Sequence, residues 1–138
     1  MGPEPDVSAA AFIEELLNDV MLKPSGDLRV VADKYFSPQY RQRTDGEWLS
    51  RSEFLEHAAH LRSLLVEASV VIHQALRDGN QISSRHTVRA TKQDGGQVES
   101  DVYLFGELDD QDRFLYIDEL TRMVAGGEAD RDLGRSRG

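Results

Sequence analysis

Two ionisable side chains lie among apolar neighbours, where they could carry acid–base chemistry. His86 shares one face of a predicted strand with Ile82, Ser84, Val88 and Ala90. A histidine near its ordinary pKa can accept or donate a proton close to neutral pH, so His86 is a candidate catalytic base or acid. The alternative is a core histidine whose ring is hydrogen-bonded to a neighbouring hydroxyl or backbone group.

Asp101 is the second catalytic candidate, and its role depends on which face of the strand over Gln97–Leu108 turns inward. The aliphatic face consists of Val98, Ser100, Val102, Leu104 and Leu108. If that face is buried, as the pattern alone favours, Asp101 points to solvent, because successive side chains of a strand point to opposite faces. If the face with Tyr103 and Phe105 is buried instead, desolvation raises the pKa of Asp101 and favours the neutral acid.

The other histidines do not indicate a metal site. His57 and His60 lie on a predicted helix, but their spacing is not the i, i+4 pair that places two imidazoles on one metal ion. We predict a solvated helix flank there, no metal and no cofactor. His73, on the opposite face of its strand from Val70 and Ile72, is predicted to be exposed or at an interface.

Three further residues have positions that the sequence leaves open. Trp48 follows the Asp45-Gly46 turn and could either cover the mouth of a pocket or pack against the core. Glu119 and Arg122 have opposite parity on the last predicted strand, so one of them could enter the interior. An ion pair with a neighbouring strand is the alternative for either residue.

The composition favours one acidic domain. The chain has 138 residues, and its net charge of −9 would repel a phosphate backbone, so we expect no nucleic-acid partner. No apolar run approaches the roughly 18 residues of a membrane span, so we expect no membrane insertion. The chain has no cysteine, which is compatible with the reducing cytoplasm, the location that we predict.

Helical periodicity and capping residues predict three helices in the first half of the chain. The first begins near Ser8 and runs to Met21, after a leader at residues 1–7. Asp27 can cap the second helix. Ser50 and Glu53 form the pattern of a capping box, which predicts the third helix over Arg51–Leu64.

The second half has the composition of strands separated by turns. A short extended piece over residues 39–43 is followed by four long strands, predicted at Val66–Leu76, Gln81–Lys92, Gln97–Leu108 and Arg113–Val124. The class is therefore α+β, with one domain over residues 8–125 and a charged tail at 126–138. A strongly twisted antiparallel meander can curl into a cone around the helices, which would leave an apolar pocket inside.

The chain resembles the nuclear transport factor 2-like superfamily, in particular its SnoaL-like polyketide cyclase and ketosteroid isomerase branches. The resemblance rests on the order of elements and on four segments, Asp27-Leu28, Tyr35 to Tyr40, Glu99 to Phe105 and Asp112 to Ile117. It implies a cystatin-like cone in which three N-terminal helices pack in a strongly curved antiparallel sheet. Because this superfamily includes enzymes as well as binding and assembly domains, the fold alone leaves the activity open.

The resemblance also implies a pocket on the aromatic face of the third long strand. In ketosteroid isomerases the matching strand carries an aspartate in step with aromatic pocket residues, which implies that Asp101 and Tyr103 hold a substrate oxygen and that Phe105 lines the pocket. The base of that branch is expected on the short strand that contains Tyr40 and Gln42. An amide cannot take a proton at neutral pH, so Gln42 cannot be that base. Tyr40 and Gln42 are therefore assigned to ligand contact, and His86 is assigned the proton-transfer role.

The resulting hypothesis is an enzyme that applies acid–base chemistry to a small carbonyl or polyketide-like substrate in the cone. Trp48 is included among its ligand-contacting residues. The alternative is a non-catalytic small-molecule-binding or assembly domain on the same scaffold. Under both hypotheses, Val102 and Leu104 would face outward if Asp101 faces inward. A homodimer packed through the outer sheet faces would cover this apolar surface, so we predict one.

Overall fold

The computed structural model describes residues 7–24 and 26–126. The predicted leader and tail therefore lie, apart from residues 7 and 126, outside the described residues. Three α-helices are present, α1 at Val7–Leu17, α2 at Leu28–Tyr35 and α3 at Arg51–Leu64. A π-helical turn at Asn18–Leu22 continues α1. None of the described helices is long and apolar enough to cross a membrane.

The capping residues act as the sequence predicted. The Asp27 side chain accepts the backbone N–H of Arg29 at 2.8 Å and begins α2. Ser50 and Glu53 form both hydrogen bonds of the capping box at the start of α3. These side chains satisfy N–H groups that have no partner within the helix, which is why the helices begin where they do.

Six strands form one curved sheet on whose concave face the helices pack. The strands are β1 at Phe36–Thr44, β2 at Glu47–Ser50, β3 at Leu65–Asp78, β4 at Gln81–Lys92, β5 at Gln97–Leu108 and β6 at Phe114–Ala125. Their order is β2-β1-β6-β5-β4-β3. The antiparallel meander β3 to β6 confirms the prediction. β1 runs parallel to β6, so the sheet is mixed where the sequence predicted only antiparallel pairs.

The turn at Asp45-Gly46 fixes β1 and β2 against the last strand. Both residues have positive φ, 50° and 89°, as in the type I′ turn that suits a two-residue hairpin. The Asp45 N–H donates to the carbonyl oxygen of Glu119 at 2.9 Å. The Asp45 carboxyl in turn accepts the N–H of Thr121 at 2.8 Å. These two hydrogen bonds continue the contact between β1 and β6 beyond Thr44 and hold the backbone on both sides of Leu120 in place.

Aromatic side chains fill one part of the cone. The Phe36 ring contacts those of Tyr40, Phe54 and Phe114 at centroid distances of 4.5, 5.0 and 6.4 Å. The helical wall is held by Arg62 of α3, whose guanidinium donates to the carbonyl oxygens of Asp19, Val20 and Gly26. The rest of the interior is left as a cavity.

Candidate functional site

A cavity of about 560 Å³ lies between the concave sheet face and the helices. Its volume is in the range of small-molecule sites, and its wall is mostly apolar, as is usual for them. The even-numbered side chains of β4 and β5 form one wall, and α3 and the end of α1 form the other. The polar side chains in this wall are few, so each of them is informative.

Glu119 is the ionisable group that the structure adds to the sequence analysis. It lies opposite Leu104 in the β5–β6 pairing and faces the cavity. Its carboxyl oxygen Oε1 accepts hydrogen bonds from Gln42 Nε2 at 3.3 Å and Thr44 Oγ1 at 3.4 Å. The sequence left open whether Glu119 or Arg122 enters the interior, and it is Glu119.

Burial in the protein, and next the nearby charge of Asp45, raise the pKa of Glu119 from 4.5 to about 7. The Thr44 hydrogen bond acts in the opposite direction, because it stabilises the carboxylate. Part of the Glu119 surface is still accessible, and this part faces the cavity. The carboxyl is therefore close to half protonated at neutral pH and is reachable by a small ligand.

A buried hydrogen-bond chain orients the amide of Gln42 towards Glu119. The Tyr40 hydroxyl donates to Gln42 Oε1 at 2.7 Å, and Gln42 Nε2 donates to Thr44 Oγ1 at 2.9 Å. Burial, and then the proximity of Glu119, raises the pKa of Tyr40 well above 10, so its phenol stays a donor. The amide nitrogen must then point to Thr44 and Glu119.

His86 occupies the opposite side of the cavity. Only 1% of its surface is exposed, and its Nδ1 lies 3.0 Å from Ser84 Oγ. Desolvation, and next the charge of His73, lowers the pKa of His86 to about 4, so the ring is neutral at neutral pH. The ring has the hydroxyl partner expected of a core histidine and also forms part of the cavity wall.

The strand register sets the distance between these two groups. His86 pairs with Val102, which pairs with Thr121, while Leu104 pairs with Glu119. His86 and Glu119 are thus two strands apart and offset by two residues along the strands, which places their backbones roughly 12 Å from each other. Val102 and Leu104 form the floor between them. A ligand that spans the cavity could contact both side chains.

Three residues predicted to face the pocket lie instead on the outer sheet face, so that prediction is wrong. Tyr103 and Phe105 are 40% and 61% exposed. Asp101 accepts a hydrogen bond from Thr87 Oγ1 at 2.7 Å. The Thr87 hydroxyl oxygen also lies 2.7 Å from His73 Nε2. The physical reason is that the aliphatic side chains of β5 share a face with the apolar row of β4, and burying both rows removes more apolar area from water.

Trp48 and Tyr40 also differ from their predicted roles as ligand contacts. Trp48 is on the outer sheet face, where the guanidinium groups of Arg41 and Arg43 lie 4.6 and 5.9 Å from its ring. Tyr40 is buried in the aromatic part of the core, behind Gln42. Gln42 does line the cavity. Tyr40 therefore acts through Gln42, and Trp48 does not cover the cavity.

The remaining histidines give one correction and one confirmation. His57 is 2% exposed and lines the cavity from α3, so the predicted solvated flank is wrong for this residue. It lies one turn from Phe54 on the buried stripe of α3. His73 is exposed, as predicted. Within residues 7–24 and 26–126, no three His, Asp or Glu side chains are grouped as a metal site would require.

Comparisons with known proteins agree with the architecture. The sequence matches no protein-family model. It is 35% identical over 100 residues to the uncharacterized protein C11D3.04c of Schizosaccharomyces pombe, a match that covers 72% of this chain and 76% of that protein.

Similar solved structures include AclR of Streptomyces galilaeus, provisionally assigned as a hydroxylase, with a TM-score of 0.70, 13% identity and coverage of 96% of this chain and 88% of AclR. IdmH of Streptomyces antibioticus, provisionally assigned as a polyketide cyclase, has a TM-score of 0.64 and 13% identity over 83% of this chain and 90% of its own. An NTF2-like protein from Exiguobacterium sp. 255-15 has a TM-score of 0.63 and 12% identity over 84% of this chain and 97% of its own. The chain therefore belongs to the family of C11D3.04c and has the nuclear transport factor 2-like fold of the SnoaL-like proteins.

Proposed function

We propose that the protein is a small-molecule enzyme that transfers protons within this cavity, with Glu119 as the group that takes and returns the proton. The observation that carries the proposal is the position of Glu119, a carboxyl that faces an apolar cavity and has a pKa of about 7. A catalytic base works best when its pKa lies near the working pH. The substrate class is an uncharged carbonyl or polyketide-like compound.

The proposed step begins with Glu119 ionised. The carboxylate takes a proton from a carbon next to the substrate carbonyl, and the electrons of that C–H bond move to the carbonyl oxygen. A neutral His86 can donate a hydrogen bond from Nε2 to the developing negative oxygen while Ser84 holds Nδ1. Return of the proton from Glu119 to a different carbon of the enolate gives an isomerised product. If the enolate carbon instead attacks a second carbonyl of the same substrate, a C–C bond forms as the C=O π bond breaks, and return of the proton to the new alkoxide gives a cyclised product.

Gln42 has a positioning role in this proposal. Its amide cannot exchange a proton, but it donates to Glu119 Oε1 at 3.3 Å and leaves Oε2 for the substrate. The provisional assignments of the similar structures, hydroxylase and polyketide cyclase, differ from each other. The fold alone therefore does not select the reaction, and the proposal rests on the position of Glu119.

The test is exchange of the α-hydrogens of ketones in D₂O, followed by proton NMR with 2-tetralone as the first of several cyclic ketones. We expect protein-dependent exchange whose rate rises with pH, levels off above about 7 and follows the ionised fraction of Glu119. If the ketones bind without exchange, the non-catalytic binding alternative is correct. Its support is the same apolar cavity, which would then serve only to hold a ligand.

We also propose a homodimer formed through the outer sheet face. Phe105, Tyr103, Leu120 and Leu76 are exposed on β5, β6 and β3 of this face. They take the place of Val102 and Leu104, which would face outward only if Asp101 faced inward and which are buried. Two copies packed about a two-fold axis would cover this apolar surface.

The homodimer is tested by light scattering after size-exclusion chromatography. We expect twice the chain mass for the wild type and the monomer mass for Phe105→Glu, because a charge would be desolvated in the interface. Val30→Glu is the matched control, since Val30 is 71% exposed on α2, away from the sheet face. A wild-type monomer at micromolar concentration would show that the proposal is wrong.

A cytoplasmic location is proposed on the sequence composition. The chain has no cysteine that an oxidising compartment could cross-link, and its surface charge is strongly acidic. Fractionation of cells that express the protein with a small epitope tag would test this location.

A further inference from the structure

Among the described residues, the cavity wall contains carboxyl groups but no lysine or arginine. The carboxyls are those of Asp45 and Glu119, and the imidazoles of His57 and His86 also line the cavity. His86 is neutral at neutral pH. The ion pairs of the described residues do not include Glu119. An anionic ligand would therefore meet the carboxylate of Glu119 and no lysine or arginine of the described wall.

The hydrogen bonds around Glu119 are those of a site that binds a positive group. Gln42 and Thr44 both donate to Oε1, which favours the ionised carboxylate, and neither occupies Oε2. Tyr40 locks the Gln42 amide in the donating orientation. Desolvation opposes ionisation because the carboxylate has no counter-ion. A ligand cation would supply the charge that the wall lacks.

The rest of the wall suits the body of an apolar ligand. Leu61, Val98 and Val102 offer aliphatic surface from the helix and the sheet. Phe36 and Phe54 also line the cavity, with ring centroids 5.0 Å apart. Aromatic ring faces attract organic cations.

We propose that the cavity binds apolar amines in their protonated form, with the ammonium group against Glu119 and the hydrocarbon body against the aliphatic wall. This site goes beyond the proposed proton transfer and does not depend on it, because binding requires only the carboxylate and the cavity. An amine bound in this way would occupy the proposed base. Apolar amines would then be competitive inhibitors of the carbonyl chemistry.

The test compares three probes with one skeleton, 2-naphthylmethylamine, 2-naphthylmethanol and 2-naphthoate, by isothermal titration calorimetry of the full chain. At pH 8 we expect the amine to bind at least about tenfold more tightly than the alcohol, and the carboxylate to show no binding. At pH 6 the amine should bind about tenfold more weakly than at pH 8, because a carboxyl with a pKa near 7 is then mostly protonated.

Other titratable groups near Glu119 are Asp45, Asp118, His57 and His86, so a variant must assign the effect. Glu119→Gln should reduce the affinity for the amine to the level of the alcohol. The affinity for the uncharged alcohol should be the same in the variant and the wild type, and should not change between pH 6 and pH 8. Asp118→Asn is the matched control, because Asp118 pairs with Arg43 on the outer face.

The proposal is overturned if amine and alcohol bind equally to the wild type at pH 8, if neither binds, or if Glu119→Gln keeps the preference for the amine. Should Glu119→Gln fail to fold, the wild-type comparison of probes and pH values still decides. Failure here leaves the exchange experiment unaffected, since exchange is measured with uncharged ketones.

Discussion

Replacing Glu119 by Gln is expected to slow α-hydrogen exchange of a bound ketone by about 10² to 10⁴-fold, the usual contribution of a positioned acid or base. Gln is close to Glu in shape and can keep the hydrogen bond with Thr44, but its amide cannot take a proton. The ketone should therefore still bind, because the apolar wall is unchanged. Exchange rates and ketone affinity, both measured by NMR, separate loss of chemistry from loss of binding.

The control for this experiment is Asp118→Asn, which removes the adjacent carboxyl on the other sheet face. It should leave the exchange rate within about twofold, since surface charges of this kind contribute little. Retention of most of the exchange activity by Glu119→Gln would show that another group is the base, with His86 and Asp45 as the remaining candidates in the cavity wall.

The same substitution is expected to change how stability depends on pH. The folded-state pKa of Glu119, about 7, lies above the ordinary value of 4.5, so the folded protein holds the proton more tightly than the unfolded chain. The contribution of Glu119 is therefore fully present below about pH 4.5 and is lost as pH rises to 7. Glu119→Gln should equal the wild type near pH 4 and exceed its stability by about 2–3 kcal/mol at pH 8.

His86 should act in the opposite direction over nearly the same range. Its folded-state pKa, about 4, lies below 6.5, so its contribution is lost as pH falls from 6.5 to 4. In the wild type the two slopes largely cancel between about pH 4.5 and 6.5. Urea unfolding of the wild type, Glu119→Gln and His86→Gln at several pH values would separate them. A stability difference between wild type and Glu119→Gln that does not vary with pH would contradict this account.

Much of the fold could be predicted because its signals are local. The Ser50 capping box fixes the start of α3, and Asp27 fixes the start of α2. The bounds of β4 and β5 are those predicted, since glycine-containing turns delimit both strands. The parallel pairing of β1 with β6 was not predicted, because it joins segments far apart in sequence and has no local signal.

The site was harder to predict because it depends on strand register. The register between β4 and β5 cannot be read from the strand bounds, and His86 and Asp101 were both taken as pocket residues without it. In the structure Thr91 pairs with Gln97, and His86 lies opposite Val102. In this register Asp101 and Tyr103 lie on the outer face when His86 faces inward. An inward His86 is thus incompatible with an inward Asp101.

The inward position of Glu119 also depends on strand register. The sequence showed that Glu119 and Arg122 point to opposite faces of the last strand. Which of the two faces the cavity could be decided only from the register between β5 and β6. Gln42 was correctly expected to face the pocket, whereas its connection to Glu119 passes through the unpredicted β1–β6 pairing. The charged residue of the cavity therefore became identifiable only with the sheet order.

The most direct measurement is a carbon-13 NMR titration of the Glu119 side-chain carboxyl, assigned by its absence in Glu119→Gln. The account predicts an apparent pKa of about 7, reduced by Asp45→Asn because the Asp45 charge contributes to the increase. A value near the ordinary 4.5 would mean that the carboxyl is well solvated and fully ionised at neutral pH, and would contradict the partly protonated carboxyl on which the proposed role of Glu119 rests.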